Sequence, residues 1–264
     1  MKPEVYDCIA SIVVFDTEEK ILNKAILSFL NTKLKVKLYI INTGSFNYHL
    51  PEDERIELIH TKGVNLGYGK GNNLALEISE DSKYFLILNP DLFIIDDALE
   101  KLIQFMDKNL TIGIVIPKVL NEDGSIQYLN KRHPAIFPLF IRRFVPVKFH
   151  SLFKKILDEY EMKDFNYEEN FEVPFISGAF MLTRKKNLLE IGGFDSRYFM
   201  YFEDADLSRK FQEAGFKTMY YSKAKVIHVW KRGAHKSKKL ALIFISSMWK
   251  YFRKWGFRIF LSSE

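Results

Sequence analysis

The sequence predicts an α/β fold: a mostly parallel central sheet flanked by helices, followed by a C-terminal amphipathic helical segment. Three observations predict it. Apolar runs of strand length alternate with helix signals through residues 1–117, as buried parallel strands and their crossover helices do. Prolines at 134, 138, 146 and 174 and an Asp123-Gly124 hairpin signal break the pattern over 118–175, after which strand and helix signals resume. From Lys231 to Arg258 the chain carries many Lys and Arg and no acid, mixed with large apolar residues.

The elements follow in order. Cys8 to Phe15 is a continuous apolar run, and Asp16 with Glu19 forms a capping-box pattern before a helix to about Asn31. Val36–Asn42, Ile56–His60 and Tyr84–Leu88 read as strands, with helices near Gly71–Ser79 and Ala98–Lys108 between and after them. Gly113–Pro117 reads as another strand, Ala179–Thr183 as a later one, and Lys185–Ile191 as a short helix. Asp204–Ala214 is a better helix, closed by Gly215. Ligands sit beyond the carboxyl ends of strands in such sheets, which puts Asn42, Asn65 to Asn72 and Asn89 to Asp91 on one rim. One domain over 1–230 is expected, with halves 1–117 and 118–230, and a basic appendage over 231–264.

Composition narrows the classes. The 264 residues are 47% hydrophobic with 24 Phe and 13 Tyr, ample for a substantial core and unlike a disordered chain. Cys8 is the single cysteine, so no intrachain disulfide forms and a reducing compartment fits. The N-terminus has acids where a secretory signal carries its basic region, and no apolar run approaches the roughly 20 residues that span a bilayer. A soluble or peripheral protein is expected. The net charge is +6, and the excess is concentrated in two acid-free stretches, 131–155 and 231–258. Basic charge mixed with Phe, Trp, Ile and Leu points to an anionic membrane surface more than to nucleic acid. At helical spacing Ile245, Met248, Phe252, Trp255 and Ile259 form one stripe, with Lys250, Arg253, Lys254 and Arg258 opposite. That stripe suits either packing on the domain or a membrane interface.

Four segments carry chemistry. Asn89-Pro90-Asp91 follows a buried strand, where an acid reaches the rim, although three residues alone read first as an ordinary Pro-Asp turn. One Asp beside an Asn is a sparse site for Mg²⁺ or Mn²⁺, which would complete its shell with waters and phosphates. Gly63 to Asn73 is glycine-rich before a helix, as phosphate-binding turns are, yet matches neither G-x-G-x-x-G nor the Walker pattern. Phe202-Glu203-Asp204 opens a helix, where an acid serves as a cap or, if its aromatic neighbours desolvate it, as a general base. His228 ends an apolar run and is either a structural residue or a metal ligand.

Together and in order these segments resemble the family 2 glycosyltransferases of GT-A fold, in particular bacterial rhamnosyltransferase-like members. The resemblance rests on Ser11–Asp16, Ile40–Ser45, Asn65–Asn73, Leu88–Asp91, Ser177–Leu182, Gly192–Asp195 and Tyr201–Leu207, and covers nearly the whole chain. It implies that Phe15, Asp16 and Asn42 lie near the nucleotide, with Asn42 where many members have an Asp that reads the base. It implies that Asn65 and Gly67 contact the nucleotide or sugar, that Asn89 and Asp91 stand in the metal motif, and that His228 approaches the metal or diphosphate. Asp204 matches the general base, with Glu203 beside it.

The implied reaction is inverting transfer from a nucleoside-diphosphate sugar, first of all dTDP-rhamnose, with UDP-hexoses and UDP-N-acetylhexosamines open. The implied acceptor is a glycan, often on a polyprenyl diphosphate, in O-antigen, capsule or cell-wall synthesis at the cytoplasmic face of the membrane, and the implied cofactor is a divalent cation. A nucleotidyltransferase would carry a basic, glycine-rich turn after the first strand, where this chain has Phe15-Asp16-Thr17-Glu18-Glu19. A non-catalytic membrane module would explain the basic tail but neither Asp91 nor Asp204.

Overall fold

A computed structural model describes residues 5–229 and 238–261. The N-terminal residues and 231–237, the first part of the expected appendage, lie outside it. Among the described residues nine strands form one sheet: β1 (Tyr6–Val14), β2 (Val36–Asn42), β3 (Ile56–His60), β4 (Ser82–Leu88), β5 (Leu92–Ile95), β6 (Ile112–Leu120), β7 (Phe171–Glu172), β8 (Phe180–Arg184) and β9 (Lys217–His228). Their spatial order is β3-β2-β1-β4-β8-β6-β9-β5, with β7 on β9. β1, β2, β3 and β4 run parallel. β8 is antiparallel to both β4 and β6, which restores the original direction in β6 and in β9, its parallel neighbour. β5 and β7 also run against β9. The sheet is therefore mostly parallel, and the carboxyl ends of β1, β2, β4 and β9 share one rim. The amino end of β8 meets them there, because Phe180 pairs with Leu88.

The helices are α1 (Glu19–Leu30), α2 (Tyr68–Ile78), α3 (Ala98–Lys108), α4 (Ile136–Phe144), α5 (Lys154–Tyr160), α6 (Lys185–Glu190), α7 (Glu203–Glu213) and α8 (Lys238–Trp255), with a 3-10 helix over Val147–Phe153. The main core lies between the sheet and its helices, built on strand residues such as Ile9, Ile40, Leu86, Ile114 and Leu182. The expected capping box at α1 does not form. Asp16 has a left-handed backbone (φ 52°), Glu18 holds the cap position without a side-chain bond to the helix N–H groups, and Glu19 accepts instead from the His49 N–H at 2.8 Å. The helix starts too late for Asp16 to reach its free N–H groups.

A second core cluster joins α4, α5, α7 and α8 through Leu139, Tyr160, Phe202, Ala205, Tyr251 and Phe252. The expected stripe on α8 is split by it. Met248, Phe252 and Trp255 pack inward, whereas Ile245 and Ile259 are exposed. The lysines opposite are not simply solvated. Lys250 donates to the Arg197 carbonyl at 2.8 Å, and Lys254 pairs with Asp206 at 2.7 Å and Asp195 at 3.2 Å. Asp206 is fully buried on α7, and burying a carboxylate requires such a counter-charge. Among the described residues no helix is long and apolar enough to cross a membrane.

The glycines of Gly67–Gly71 serve packing. A Cβ at Gly67 would overlap the Phe199 carbonyl oxygen, one at Gly69 would press on Phe194, and one at Gly71 would meet Val13 at 2.7 Å. Gly67 also has φ +76°, where side chains cost about 1 kcal/mol or more. The turn thus locks α2 against β1 and the segment before α7. Replacing Gly67 with alanine should lower unfolding stability by about 2–4 kcal/mol; a urea midpoint unchanged from wild type would refute this close contact.

Candidate active site

The rim gathers most of the residues expected there. Asn89 follows β4, and its N–H donates to the Ala179 carbonyl at 2.9 Å, tying the Asn-Pro-Asp turn to the segment before β8. Asp91 stands between that turn and β5, whose Leu92 pairs across the ladder with His228 at the end of β9. The Val229 N–H donates to the Asp91 carbonyl at 2.9 Å, so the two residues are fixed by backbone as well as by side chain.

His228 Nε2 lies 3.2 Å from Asp91 Oδ1, and its Nδ1 lies 2.6 Å from Gln127 Oε1. Gln127 donates its amide nitrogen to Asn121 Oδ1 at 2.9 Å, which fixes its oxygen toward the ring. An amide oxygen only accepts, so Nδ1 carries a hydrogen, and Nε2 faces the carboxylate, which it meets either with its own N–H or through a cation that both atoms share. Two acceptors facing each other at this distance require a proton or a cation between them. Gln127 carried no signal in the sequence beyond following the Asp123-Gly124 turn, which the Asn121 N–H to Ser125 carbonyl bond confirms.

On the neighbouring side α7 starts with Glu203, preceded by Tyr201 and Phe202 in consecutive left-handed conformations (φ 70° and 67°). Such backbone costs of order 1 kcal/mol per residue and persists where surroundings enforce it. Here they do. The Tyr201 and Phe202 rings lie against Phe244 of α8 at 5.6 and 5.3 Å, Ser247 donates to the Met200 carbonyl at 2.8 Å, and Trp255 Nε1 donates to Asp206 at 2.7 Å. The turn carries Asp204 to Gly178, whose N–H donates to Asp204 Oδ2 at 3.0 Å. Tyr68 closes the other side of Gly178 by donating to its carbonyl at 2.6 Å. Burial, then the charges of Glu203 and Asp204 and last that of Asp91, push the Tyr68 hydroxyl well above its ordinary value. Neighbouring chain, Gly178 to Ala179 to Asn89, therefore links the two carboxylate sites.

The electrostatics raise both carboxyls at this helix start above their ordinary values. Burial raises the Asp204 carboxyl above its ordinary value, opposed by the Gly178 N–H and by the Lys131 ammonium. Burial, then the Asp204 charge, raises Glu203 further, and Glu203 Oε2 has no hydrogen-bond partner. The helix dipole acts in the other direction, so desolvation outweighs it. Lys131 is itself held down to about 8 by burial, then by Arg142. Its ammonium lies over the Phe175 ring at 4.9 Å, and neither it nor Gly178 stood out as a site residue from sequence.

Other expected residues sit differently. Asn42 ends β2 but is only 1% exposed; its oxygen accepts from the Gly44 N–H at 3.0 Å and its nitrogen donates to the Phe46 carbonyl at 2.8 Å. It shapes the loop after β2. Phe15 is exposed at the end of β1, and Asp16 abuts Gly44 of that loop. Asn65 accepts from the Gly67 N–H at 2.9 Å, holding the turn that packs on Phe199. Among the described residues no three His, Cys, Asp or Glu side chains gather as a metal cluster. A hollow of about 90 Å³ bounded by Thr32, Asp96 and Glu100 shares no residue with this rim.

A mostly parallel sheet with an acid after β4, an acid pair opening a late helix and the antiparallel β8 beside β4 defines a GT-A glycosyltransferase fold. Its architecture matches that of the solved structure titled GalNAc-T7 with UDP, GalNAc and Mn²⁺, with a TM-score of 0.66 and 13% identity over 96% of this chain and 50% of that one. The chain belongs to glycosyl transferase family 2, whose family model matches residues 11–192. It is 25% identical over 181 residues to the N-acetylglucosaminyl-diphospho-decaprenol L-rhamnosyltransferase of Mycobacterium tuberculosis, a match covering 63% of this chain and 56% of that protein. It is also 25% identical over 178 residues to rhamnosyltransferase WbbL of Escherichia coli K12, covering 65% and 64%. The chain thus spans little more than half the length of the mycobacterial relative.

Proposed function

We propose that the protein is an inverting glycosyltransferase that moves a sugar from a nucleoside-diphosphate donor to a glycan acceptor, with Asp204 as general base. The observation that supports this most is the link through Gly178 and Ala179, which sets a desolvated carboxylate beside the Asp91–His228 pair on one rim. Residues 1–117 form the donor half, where Phe15, Asp16 and the Asn65–Gly67 turn border the nucleotide and Asn42 shapes the neighbouring loop. Residues 118–230 supply the acceptor side, and 231–264 act as its basic appendage.

Asp91 and His228 fit a divalent cation. The Asp91 carboxylate and His228 Nε2 converge at 3.2 Å, and a hard cation such as Mg²⁺ or Mn²⁺ would take its remaining ligands from water and phosphate. When bound, the cation would offset charge on the departing diphosphate. Asn89 holds the turn that presents Asp91. Asp204 takes the proton of the acceptor hydroxyl as that oxygen attacks the anomeric carbon, giving one inversion. Gly178 keeps the receiving oxygens aimed at the acceptor side.

Rhamnose is the preferred sugar, supported by the names of the two relatives, and the name of the mycobacterial one supports a lipid-diphosphate-linked acceptor; the cytoplasmic face of the membrane is the place we propose for the transfer. Nucleoside diphosphate release from a panel of dTDP- and UDP-sugars, with and without Mn²⁺, tests the reading. Release from none of them, with a polyprenyl-diphosphate glycan supplied, would overturn it. Replacing Gln127 with alanine should weaken cation-dependent nucleotide binding by roughly 10–100-fold, as expected for a group orienting a ligating histidine. Unchanged cation affinity in a correctly folded Gln127→Ala protein would remove His228 from the site.

A further inference from the structure

The outer side of α8 and its neighbours carries apolar side chains that are exposed among the described residues. Leu242, Ile245 and Trp249 recur at spacings of three and four, which lines them along one helix face. Leu242 is 69% exposed and Trp249 59% exposed. Beside them, Phe140 and Phe144 of α4 project outward one turn apart, and Val147 and Leu152 of the following 3-10 helix are 80% and 76% exposed. The two regions are joined. The Ile136 and Phe137 N–H groups donate to the carbonyls of Arg258 and Ile259 at 2.8 and 2.9 Å, Phe137 contacts Phe260 with ring centroids 5.5 Å apart, and Arg143 lies over Phe244.

The charge around this face has one sign. The stretches 131–155 and 238–258 contain no Asp or Glu, and Lys148, Lys155, Lys238, Lys239 and Arg253 are exposed there. Apolar side chains among exposed cations match a lipid surface with anionic headgroups, which takes the hydrocarbon and the charge together. A second copy of the same face would instead set lysines against lysines.

The inner side of the same helix holds the turn that presents Asp204. Ser247 bonds the Met200 carbonyl, Lys250 the Arg197 carbonyl, and Lys254 and Trp255 the buried Asp206. We propose that α8 is a lipid-responsive brace: its outer face, with α4 and the 3-10 helix, docks on an anionic bilayer, and its inner face transmits that docking to the left-handed Tyr201–Phe202 turn. The role of the turn rests on the assignment of Asp204 above, whereas the docking does not. Membrane contact orders α8, and an ordered α8 narrows the conformations open to residues 198–206.

The test needs no glycosyl transfer, so its failure is distinct from a failure of the proposed reaction. The protein is mixed with vesicles of phosphatidylglycerol and phosphatidylcholine, or of phosphatidylcholine alone, and followed by co-sedimentation and by amide hydrogen exchange. Binding to the anionic vesicles alone is expected, with exchange over 198–206 slowed several-fold. Leu242→Ser with Ile245→Ser should abolish binding while melting as wild type does. Lys238→Glu with Lys239→Glu, on exposed positions that leave packing untouched, should weaken it at least tenfold. No binding to anionic vesicles, or binding that both double variants retain, overturns the docking surface. Binding without slower exchange over 198–206 overturns the brace. A concentration-dependent dimer that Leu242→Ser with Ile245→Ser dissociates, in protein that ignores vesicles, assigns the face to self-association and overturns the proposal.

Discussion

Replacing Asp204 with asparagine should reduce transfer by roughly 10²–10⁴-fold, the contribution of a positioned general base, while donor binding stays nearly unchanged. The substitution preserves shape. Asparagine keeps an oxygen that can accept from the Gly178 N–H, so the turn and its link to Ala179 survive. What is lost is the lone pair that receives the hydroxyl proton. The pH dependence follows from burial, which raises the Asp204 carboxyl. The active, ionised form therefore accumulates only as pH climbs through a value above the ordinary carboxylate range, and the wild-type rate should rise on that acidic limb. The stability sign is opposite. A carboxyl whose folded value is raised stabilises the fold below its unfolded pKa and loses that contribution as pH rises through the folded value. At neutral pH the Asp204→Asn protein, relieved of a charge beside Glu203, should melt no lower than wild type. A variant with a normal turnover number would disprove the base assignment, whatever its melting temperature.

Replacing Asp91 with alanine should weaken nucleotide binding in the presence of Mn²⁺ by about 100-fold or more. Groups that merely orient a ligand cost about 10–100-fold in metal affinity, and Asp91 is proposed as the ligand itself. The backbone bond from the Val229 N–H to the Asp91 carbonyl remains in the variant, so the strand ends should keep their places. The loss should be confined to the cation-dependent part of binding. Titration with dTDP or UDP in EDTA should give similar weak affinities for both proteins, and titration in saturating Mn²⁺ should separate them. Equal affinity in Mn²⁺ would place the cation elsewhere or dispense with it.

Much of the sheet was legible because its central strands, β1, β2 and β4, are buried on both faces. Val36–Asn42, Ile56–His60 and Ala98–Lys108 were expected within the bounds observed. Strand direction was not legible. Phe180–Arg184 is as apolar as its parallel neighbours, and only its pairing with β4 and β6 reveals that it runs against them. The rim positions of Asp91 and Asp204 were readable from their places after a strand and at a helix start. Their partners were not. Gln127, Gly178 and Lys131 act through contacts across wide sequence gaps, and a glutamine or glycine in a loop carries no periodic signal. The glycines of Gly67–Gly71 suggested phosphate binding, but the same backbone freedom answers a steric demand from Phe199, Phe194 and Val13. The stripe on α8 blended two faces, because the helix is apolar both toward the domain and away from it.

The clasp between α8 and Asp206 also sets an order of events during synthesis. Asp206 is completely buried, and its cation and indole partners, Lys254 and Trp255, leave the ribosome some fifty residues later. At about 5–20 residues per second, that interval lasts seconds. Until it ends, closing α7 would strand a carboxylate in the apolar cluster without a counter-charge, at a cost of several kcal/mol. The sheet can therefore assemble while the start of α7 stays open. A nascent chain acquires its sheet first and the buried start of α7 last, so the proposed proton acceptor is set in place only once α8 has formed.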